Sequence, residues 1–221
     1  MNIDWLHTQN ALECIVFCNG WGMDIHAVQH LKNNEYDICV ISNYDSFQNE
    51  LPNFTSYSKV HLIAWSMGVW AASKLFEHQA DMFDKKIAIN GTGCPIHNTY
   101  GINEQVFIGT LTSWNDSTRK RFDARMCGGN KEYAQMKHYM SARTSDNQQK
   151  ELQSLYNAIN IDSNTDEFVW TAAIIGEQDM IFTSENQKNY WSTRTKSITL
   201  PVPHFPFHKI ETWKEILEMK L

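Results

Sequence analysis

The seven residues Ile63-Ala64-Trp65-Ser66-Met67-Gly68-Val69 constrain this chain more than any other stretch, because they set a serine between an apolar, strand-like run and an alanine-rich, helix-like run. A sharp strand-to-helix turn brings the positions two before and two after its central residue close together, so both must be small. Here they are Ala64 and Gly68. Glycine is commoner at the first of them, but alanine respects the same steric logic. Residues 60–64 are mostly β-branched or apolar, whereas residues 69–76 have helix composition. The segment reads as a nucleophile elbow centred on Ser66. The competing reading is an ordinary strand-turn-helix with an incidental serine, and the rest of the chain has to decide between them.

Apolar strand-like runs recur at residues 14–18, 38–41, 60–63, 87–89, 168–175 and 197–202, and helical text alternates with them. Continuous apolar strands alternating with amphipathic helices predict a mostly parallel sheet with helices on both faces. Asp24 is placed to cap a helix carrying Ile25, Val28 and Leu31, and Ser184 to cap one running through Tyr190 and Trp191. The chain ends in helical text over 211–221, with Trp213, Ile216 and Leu217 on one side. Between 95 and 166 the strand signal disappears. That interval is polar and helical, and Ser145 with Gln148 makes a capping box for a helix carrying Leu152, Leu155 and Ile159. The expected organisation is a core of residues 1–94 and 167–221 with a helical lid, 95–166, inserted between two strands. A long insertion in a chain of 221 residues is more often functional than ornamental.

Composition excludes several function classes. A net charge of −6 offers no basic surface for nucleic acid. No run approaches the roughly 20 apolar residues of a membrane span, and the start, Met1-Asn2-Ile3-Asp4-Trp5, lacks a basic region followed by an apolar one. A cytoplasmic protein, a monomer without membrane contact, is expected. The five cysteines (Cys14, Cys18, Cys39, Cys94, Cys127) are odd in number and mostly embedded in apolar text, which reads as reduced core residues. Cys14 and Cys18 would share a strand face, but no histidine or second cysteine pair stands at zinc spacing, so no metal and no cofactor is expected.

A serine hydroxyl is a poor nucleophile until a base takes its proton, and the base must be oriented by a third group. Asp179 follows the run at 168–175, in Gly176-Glu177-Gln178-Asp179, and His204 follows the next one, in Pro201-Val202-Pro203-His204-Phe205. The order Ser66, Asp179, His204 is that of the α/β-hydrolases, whose chemistry sits at the carboxyl ends of the strands. Glu177 is the rival carboxylate and His208 the rival base. The other seven histidines, His61 and His138 among them, default to packing or surface, although His138 could line a pocket. Attack on an ester carbonyl also needs N–H donors for the developing negative charge. One is expected from the backbone of Met67, the residue after the serine. The second is expected from the loop after the first core strand, where Gly20-Trp21-Gly22 lets the backbone turn inward and Trp21 is the candidate donor.

With those residues in hand, the chain resembles the α/β-hydrolases of biotin synthesis, most closely the BioG-type pimeloyl-[acyl-carrier protein] methyl ester esterases. The resemblance covers nearly the whole length. Val16-Phe17-Cys18-Asn19-Gly20-Trp21-Gly22-Met23 is similar to that family's strand and oxyanion loop, and Ala64-Trp65-Ser66-Met67-Gly68 to its elbow. Gly176-Glu177-Gln178-Asp179 and Pro203-His204-Phe205-Pro206-Phe207 are similar to its acid and base segments. In the related BioH type the elbow begins with glycine, and histidine usually stands where this chain has Asn19. The resemblance implies hydrolysis of the methyl ester of a pimeloyl chain on acyl carrier protein, with Ser66 as nucleophile, His204 as base and Asp179 orienting it. A general carboxylesterase or acyl thioesterase on the same fold is the first alternative, and a non-catalytic binding protein of that fold the second.

A seven-carbon acyl chain needs an apolar slot, and Trp21, Trp65, Phe107, Leu111 and Trp114 are its candidate walls. The last three could equally pack the helices of the insertion. Residues 119–143 carry Arg119, Lys120, Arg121, Arg125, Lys131, Lys137 and Arg143 against only Asp123 and Glu132. On an acidic chain this local excess fits an acidic carrier protein, and Arg119, Lys120, Arg121 and Arg125 are the expected contacts. Arg121 and Arg125 are four apart and share a helix face.

Overall fold

Among the described residues, which are 1–33, 35–47, 50–161 and 168–219, the computed structural model has one seven-stranded sheet. Its strands are β1 (Asn2–His7), β2 (Glu13–Cys18), β3 (Tyr36–Ser42), β4 (Lys59–Trp65), β5 (Phe83–Ile89), β6 (Ala172–Gly176) and β7 (Ser197–Leu200). They lie in the order β1-β3-β2-β4-β5-β6-β7, all parallel except β1, which runs antiparallel to β3. Every side chain from Cys14 to Cys18 and from Ile38 to Ile41 is wholly buried, as a sheet covered on both faces requires.

The helices are α1 (Met67–Leu75), α2 (Glu104–Ser113), α3 (Asp116–Met126), α4 (Asn130–Met136), α5 (Ser145–Ile161), α6 (Ser184–Trp191) and α7 (Trp213–Glu218). Four of them, α2 to α5, fall between β5 and β6, in the interval expected to interrupt the sheet. The expected boundary at 166/167 lies outside the described residues.

Register positions the site. Cys18 pairs with Ala64, so the turn after β2 and the turn after β4 leave the sheet side by side. The strand order reverses between these two strands, since β3 lies on one side of β2 and β4 on the other, and such a switch point opens a crevice at the carboxyl ends. Ile89 pairs with Ile174 and Gly176 with Leu200, which brings the loops after β6 and β7 to the same end.

Several local expectations are corrected. No helix follows Asp24. It caps a single 3-10 turn, Ile25–Ala27, because the chain beyond it bonds elsewhere: the His30 ring meets the Phe207 carbonyl and the Lys32 N–H donates to the Glu211 carbonyl. Strand β6 starts at Ala172, where pairing with Ile87 begins, and β7 stops at Leu200 before Pro201, which has no N–H to donate. Helix α6 is capped by Thr183 and not Ser184, and α7 starts after the Thr212 cap. The capping box at the start of α5 does not form. Thr144 Oγ1 accepts the Asn147 N–H, Ser145 bonds Asp116, and the Gln148 side chain reaches the loop after β2. The edge strand β1 has no counterpart among the expected strands, because its side chains are at most partly buried and its pairing comes from the open edge of β3.

Candidate active site

Ser66 stands at the junction of β4 and α1 with φ 58° and ψ −129°, a conformation a non-glycine residue holds only when its surroundings impose it. Those surroundings are steric. A Cβ on Gly68 would lie 2.3 Å from the Cys18 carbonyl oxygen and 2.4 Å from that of Asn19, and one on Gly91 would lie 2.2 Å from the Ser66 carbonyl oxygen. The elbow is therefore wedged between the ends of β2 and β5. Ala64 is accommodated, fully buried, at the position where glycine is commoner.

His204 Nε2 lies 2.9 Å from Ser66 Oγ, and His204 Nδ1 lies 2.8 Å from Asp179 Oδ2. Asp179 Oδ1 accepts the backbone N–H groups of Ile181 (2.8 Å) and Phe182 (3.0 Å), while Gln187 Nε2 donates to Oδ2 at 3.0 Å. A carboxylate offers only acceptors, so Nδ1 carries the imidazole proton and Nε2 is left to accept from the serine hydroxyl. The ring is fixed as well as paired. Trp65 Nε1 donates to the His204 carbonyl at 2.8 Å, and Phe182 stacks nearly parallel to the imidazole at a centroid distance of 6.0 Å.

The rivals lie elsewhere. Glu177 is exposed. His208 spends Nδ1 on the Phe205 carbonyl at 3.0 Å, and burial lowers its basicity. His61 bonds Glu13 at the other end of the sheet, and exposed His138 lies tilted against Tyr139.

Beside the serine, the backbone N–H groups of Trp21 and Met67 donate to no acceptor among the described residues. The Gly20 N–H next to them is taken by Asn19 Oδ1 at 2.9 Å, and the Gly22 N–H by Glu151 at 3.0 Å. Gly20 permits the close approach, since a Cβ there would sit 3.2 Å from that of Ser66, and Gly22 turns the loop with φ +75°.

A cavity adjoins Ser66, lined by Trp21, Trp65, Phe107, Phe122, Met126, Leu152 and Ile181 among others, with a volume of about 30 Å³. That is a narrow space beside a seven-carbon acyl chain, and the covering side chains bear on its entry. Of the five expected walls, Trp21, Trp65 and Phe107 line it. Leu111 does not. It is buried in the core, where its helix packs on α5 and its carbonyl accepts from Gln149. Trp114 is not a wall of this cavity either. It packs on Trp21 with ring centroids 4.5 Å apart and lines an adjoining cleft with Thr118, Arg121, Phe122 and Arg125. A far larger open groove, about 1120 Å³ between Phe54, Trp70 and Met82, contains none of the residues meeting at Ser66.

The basic residues divide into two kinds. Arg121 and Arg125 are exposed at the mouth of the two clefts, and Arg125 Nη2 donates to the Met180 carbonyl at 2.8 Å. Lys120 is exposed beside them. Arg119 is not a free charge: its guanidinium donates to the carbonyls of Ser141 and Arg143, each at 2.5 Å, and lies 3.8 Å from Asp123. Arg143 pairs with wholly buried Glu151 at 2.8 Å, which corrects its place in an exposed basic stretch. Burial pushes the Glu151 carboxyl up, while Arg143 and the Tyr44 and Gly22 N–H donors pull it down.

Cys14, Cys18, Cys39 and Cys127 are buried free thiols. Burial pushes the Cys39 and Cys127 thiols up to about 12, which keeps them as thiols and not as nucleophiles or ligands. Among the described residues no cluster of three or more His, Cys, Asp or Glu side chains is arranged for a metal ion, and no helix is long and apolar enough to cross a membrane.

Three residues that fix this geometry escaped the sequence reading. Gln187 offered only a polar residue on the buried face of α6, and Glu151 one between Gln148 and Leu152. Asn90 offered an Asn-Gly pair after a strand, the usual signature of a turn.

The family described as "Pimeloyl-ACP methyl esterase BioG" matches residues 1–216. An uncharacterised protein from Haemophilus influenzae is 31% identical over 203 residues, 91% of this chain and 93% of that protein. The crystal structure of selenomethionine BioG from Haemophilus influenzae superposes with a TM-score of 0.91 at 29% identity, covering 98% of this chain and 99% of the other. A malonyl-[acyl-carrier protein] O-methyltransferase of Bacteroides fragilis is 34% identical over 81% of this chain, and the match spans only 36% of that longer protein. The esterase EaEST from Exiguobacterium antarcticum shares the fold, with a TM-score of 0.65 at 13% identity over 91% of this chain and 87% of its own.

Proposed function

The chain belongs to the pimeloyl-ACP methyl esterase BioG family and is a carboxylic ester hydrolase of α/β-hydrolase fold, and from that premise we propose that it removes the methyl ester of pimeloyl-[acyl-carrier protein]. The observation that carries the mechanism is the relay from Ser66 through His204 to Asp179, at 2.9 and 2.8 Å, beside two unengaged backbone N–H groups. Ser66 attacks the ester carbonyl while His204 Nε2 takes its proton. The oxyanion is received by the N–H groups of Trp21 and Met67. The imidazolium, stabilised by Asp179, then protonates departing methanol, and water activated by the same ring hydrolyses the acyl-enzyme.

Within the insertion at 95–166, the described residues 95–161 act as a lid over this centre. The cavity of about 30 Å³ supports that role, since Phe107 and Phe122 on α2 and α3 are among the side chains that line it. Lys120, Arg121 and Arg125 receive the acidic carrier protein at the mouth, and Arg119 contributes by holding α3 to the segment at 141–143. The protein works in the cytoplasm as a monomer. The Bacteroides fragilis relative is named for methyl transfer to an acyl carrier protein substrate, which fits a chemistry in which a methyl ester is first made and then removed.

The test compares the protein with Ser66→Ala on pimeloyl-carrier-protein methyl ester, a free methyl ester and an acyl thioester. Hydrolysis of the carrier-linked methyl ester with the highest kcat/KM, abolished by Ser66→Ala, supports the reading. A preference for the free ester makes the protein a general carboxylesterase, and a preference for the thioester makes it a thioesterase. Turnover of none of the three leaves the reading without its reaction.

A further inference from the structure

The loop that carries Trp21 is held from outside the sheet, by helix α5. The Gly22 N–H donates to Glu151 Oε2 at 3.0 Å, and the Gly22 carbonyl accepts from Gln148 Nε2 at 2.7 Å. The Trp21 indole donates to the Gln148 backbone carbonyl at 2.7 Å. Both peptide planes that meet at Gly22 are therefore gripped by residues three apart on one face of α5, and the side chain before them is tied to the same helix.

Glu151 is itself braced. Its second oxygen accepts the Tyr44 N–H at 2.9 Å, and Arg143 pairs with Oε2 at 2.8 Å. Arg143 in turn donates to the Met23 carbonyl at 3.1 Å and to Asn43 Oδ1 at 2.7 Å. The ion pair thus ties together α5, the loop after β2 and the turn after β3. A buried ion pair gains little over an apolar pair in stability, because desolvation offsets most of the attraction. What this one does secure is orientation.

Orientation matters here because Gly22, at φ +75°, lies where a glycine peptide reverses with little steric cost. Reversal of the Trp21–Gly22 plane would turn the Trp21 carbonyl toward the Glu151 carboxylate and free the loop to rotate at Trp21, whose N–H lies in the peptide plane just before it. Accepting the Gly22 N–H blocks that motion.

We propose that Glu151, braced by Arg143 and assisted by Gln148, is a positioning residue that holds the loop after β2 with the Trp21 N–H aimed at the oxyanion of the ester hydrolysis. The proposal rests on the reading of Ser66 as nucleophile and Trp21 as donor. It makes the inserted helix α5 a fixed part of the reaction centre as well as part of its cover. A residue acting in this way changes transition-state binding and leaves ground-state substrate binding nearly as it was.

The experiment uses a short p-nitrophenyl ester and the full chain, with active sites counted by fluorophosphonate titration. The inhibition constant of a trifluoromethyl ketone, whose serine adduct carries an oxyanion, is measured alongside. Glu151→Gln keeps the shape but offers one acceptor where three donors converge. It should lower kcat per titrated site by about 10- to 100-fold, less than deletion of an oxyanion donor outright, with KM within about twofold. The inhibition constant should rise by the factor by which kcat/KM falls. Gln148→Met, which fills the volume without the donor and buries no unpaired charge, should fall on the same line with a smaller loss, and it serves where Glu151→Gln fails to fold. Unchanged kcat per titrated site, or a lowered kcat with an unmoved inhibition constant, overturns the proposal. Ser66→Ala is run in parallel: activity surviving there refutes the nucleophile assignment on which the proposal stands, and is read separately from the Glu151 result.

Discussion

Replacing Asn90 tests whether the loops that bear Asp179 and His204 are pinned to the sheet by one buried carboxamide. Asn90 ends β5 at φ 47° and is 1% exposed. Its Nδ2 donates to the carbonyls of Pro203 and His204, both at 3.0 Å, and its Oδ1 accepts the Gly176 N–H at 2.5 Å. The His204 carbonyl keeps a second donor, Trp65 Nε1, at 2.8 Å. Asn90→Ala therefore orphans two buried groups, the Pro203 carbonyl and the Gly176 N–H. At about 1–3 kcal/mol each, with about 1 kcal/mol more for alanine in the left-handed region, the expected loss is about 5 kcal/mol. For a chain of this size that is a fall in Tm of about 10–20 °C. Asn90→Gly loses the same bonds without the backbone strain, and should be about 1 kcal/mol less damaging than alanine. The assay is thermal unfolding of the three proteins at one pH, with kcat and KM on a short ester; kcat should fall about tenfold while KM hardly moves. A loss below about 1 kcal/mol for Asn90→Ala, or equal losses for alanine and glycine, would refute the reasoning.

Burial at the centre of α3 outweighs Arg119 and pushes the Asp123 carboxyl up to about 6 from 3.8, so the folded state holds a proton that the unfolded state has released. Asp123 thus contributes stability below pH 3.8 that is lost as pH rises through 6. Asp123→Asn should stabilise at pH 7.5, and urea unfolding should show that gain shrinking by about 2 kcal/mol at pH 4.5. Phe107→Ala opens the cavity beside Ser66 and should raise KM for the carrier-linked pimeloyl ester about tenfold. Leu111→Ala should instead cost about 2–5 kcal/mol in stability with substrate preference unchanged, and equal shifts in KM would reject the division drawn between the two. Reversing the charges of Arg121 and Arg125 together should raise KM for carrier-linked substrate and flatten its salt dependence, leaving a small uncharged ester nearly unaffected. Equal losses on both substrates would assign the two arginines to holding the insertion together.

The sequence by itself determined whatever rests on local sterics and periodicity. Small residues at 64 and 68 around Ser66 permit the elbow, and continuous apolar runs at 14–18, 38–41 and 87–89 fit a sheet buried on both faces. Chain order then carried Asp179 and His204 to the same end of the sheet, because parallel strands deliver their following loops to one side. Tertiary structure decided what depends on distant partners. The strand Asn2–His7 exists because β3 offers an edge, and the residues after Asp24 abandon the helix for bonds to Phe207 and Glu211. Gln148 leaves its expected cap for Gly22, and Arg119 and Arg143 leave the basic surface for carbonyls and Glu151. A polar side chain is a donor or acceptor in search of a partner, and its sequence neighbours do not say which loop the fold will bring within 3 Å. Apolar pattern is a property of one segment, whereas hydrogen-bond partnership is a property of two, and only packing brings the second into place.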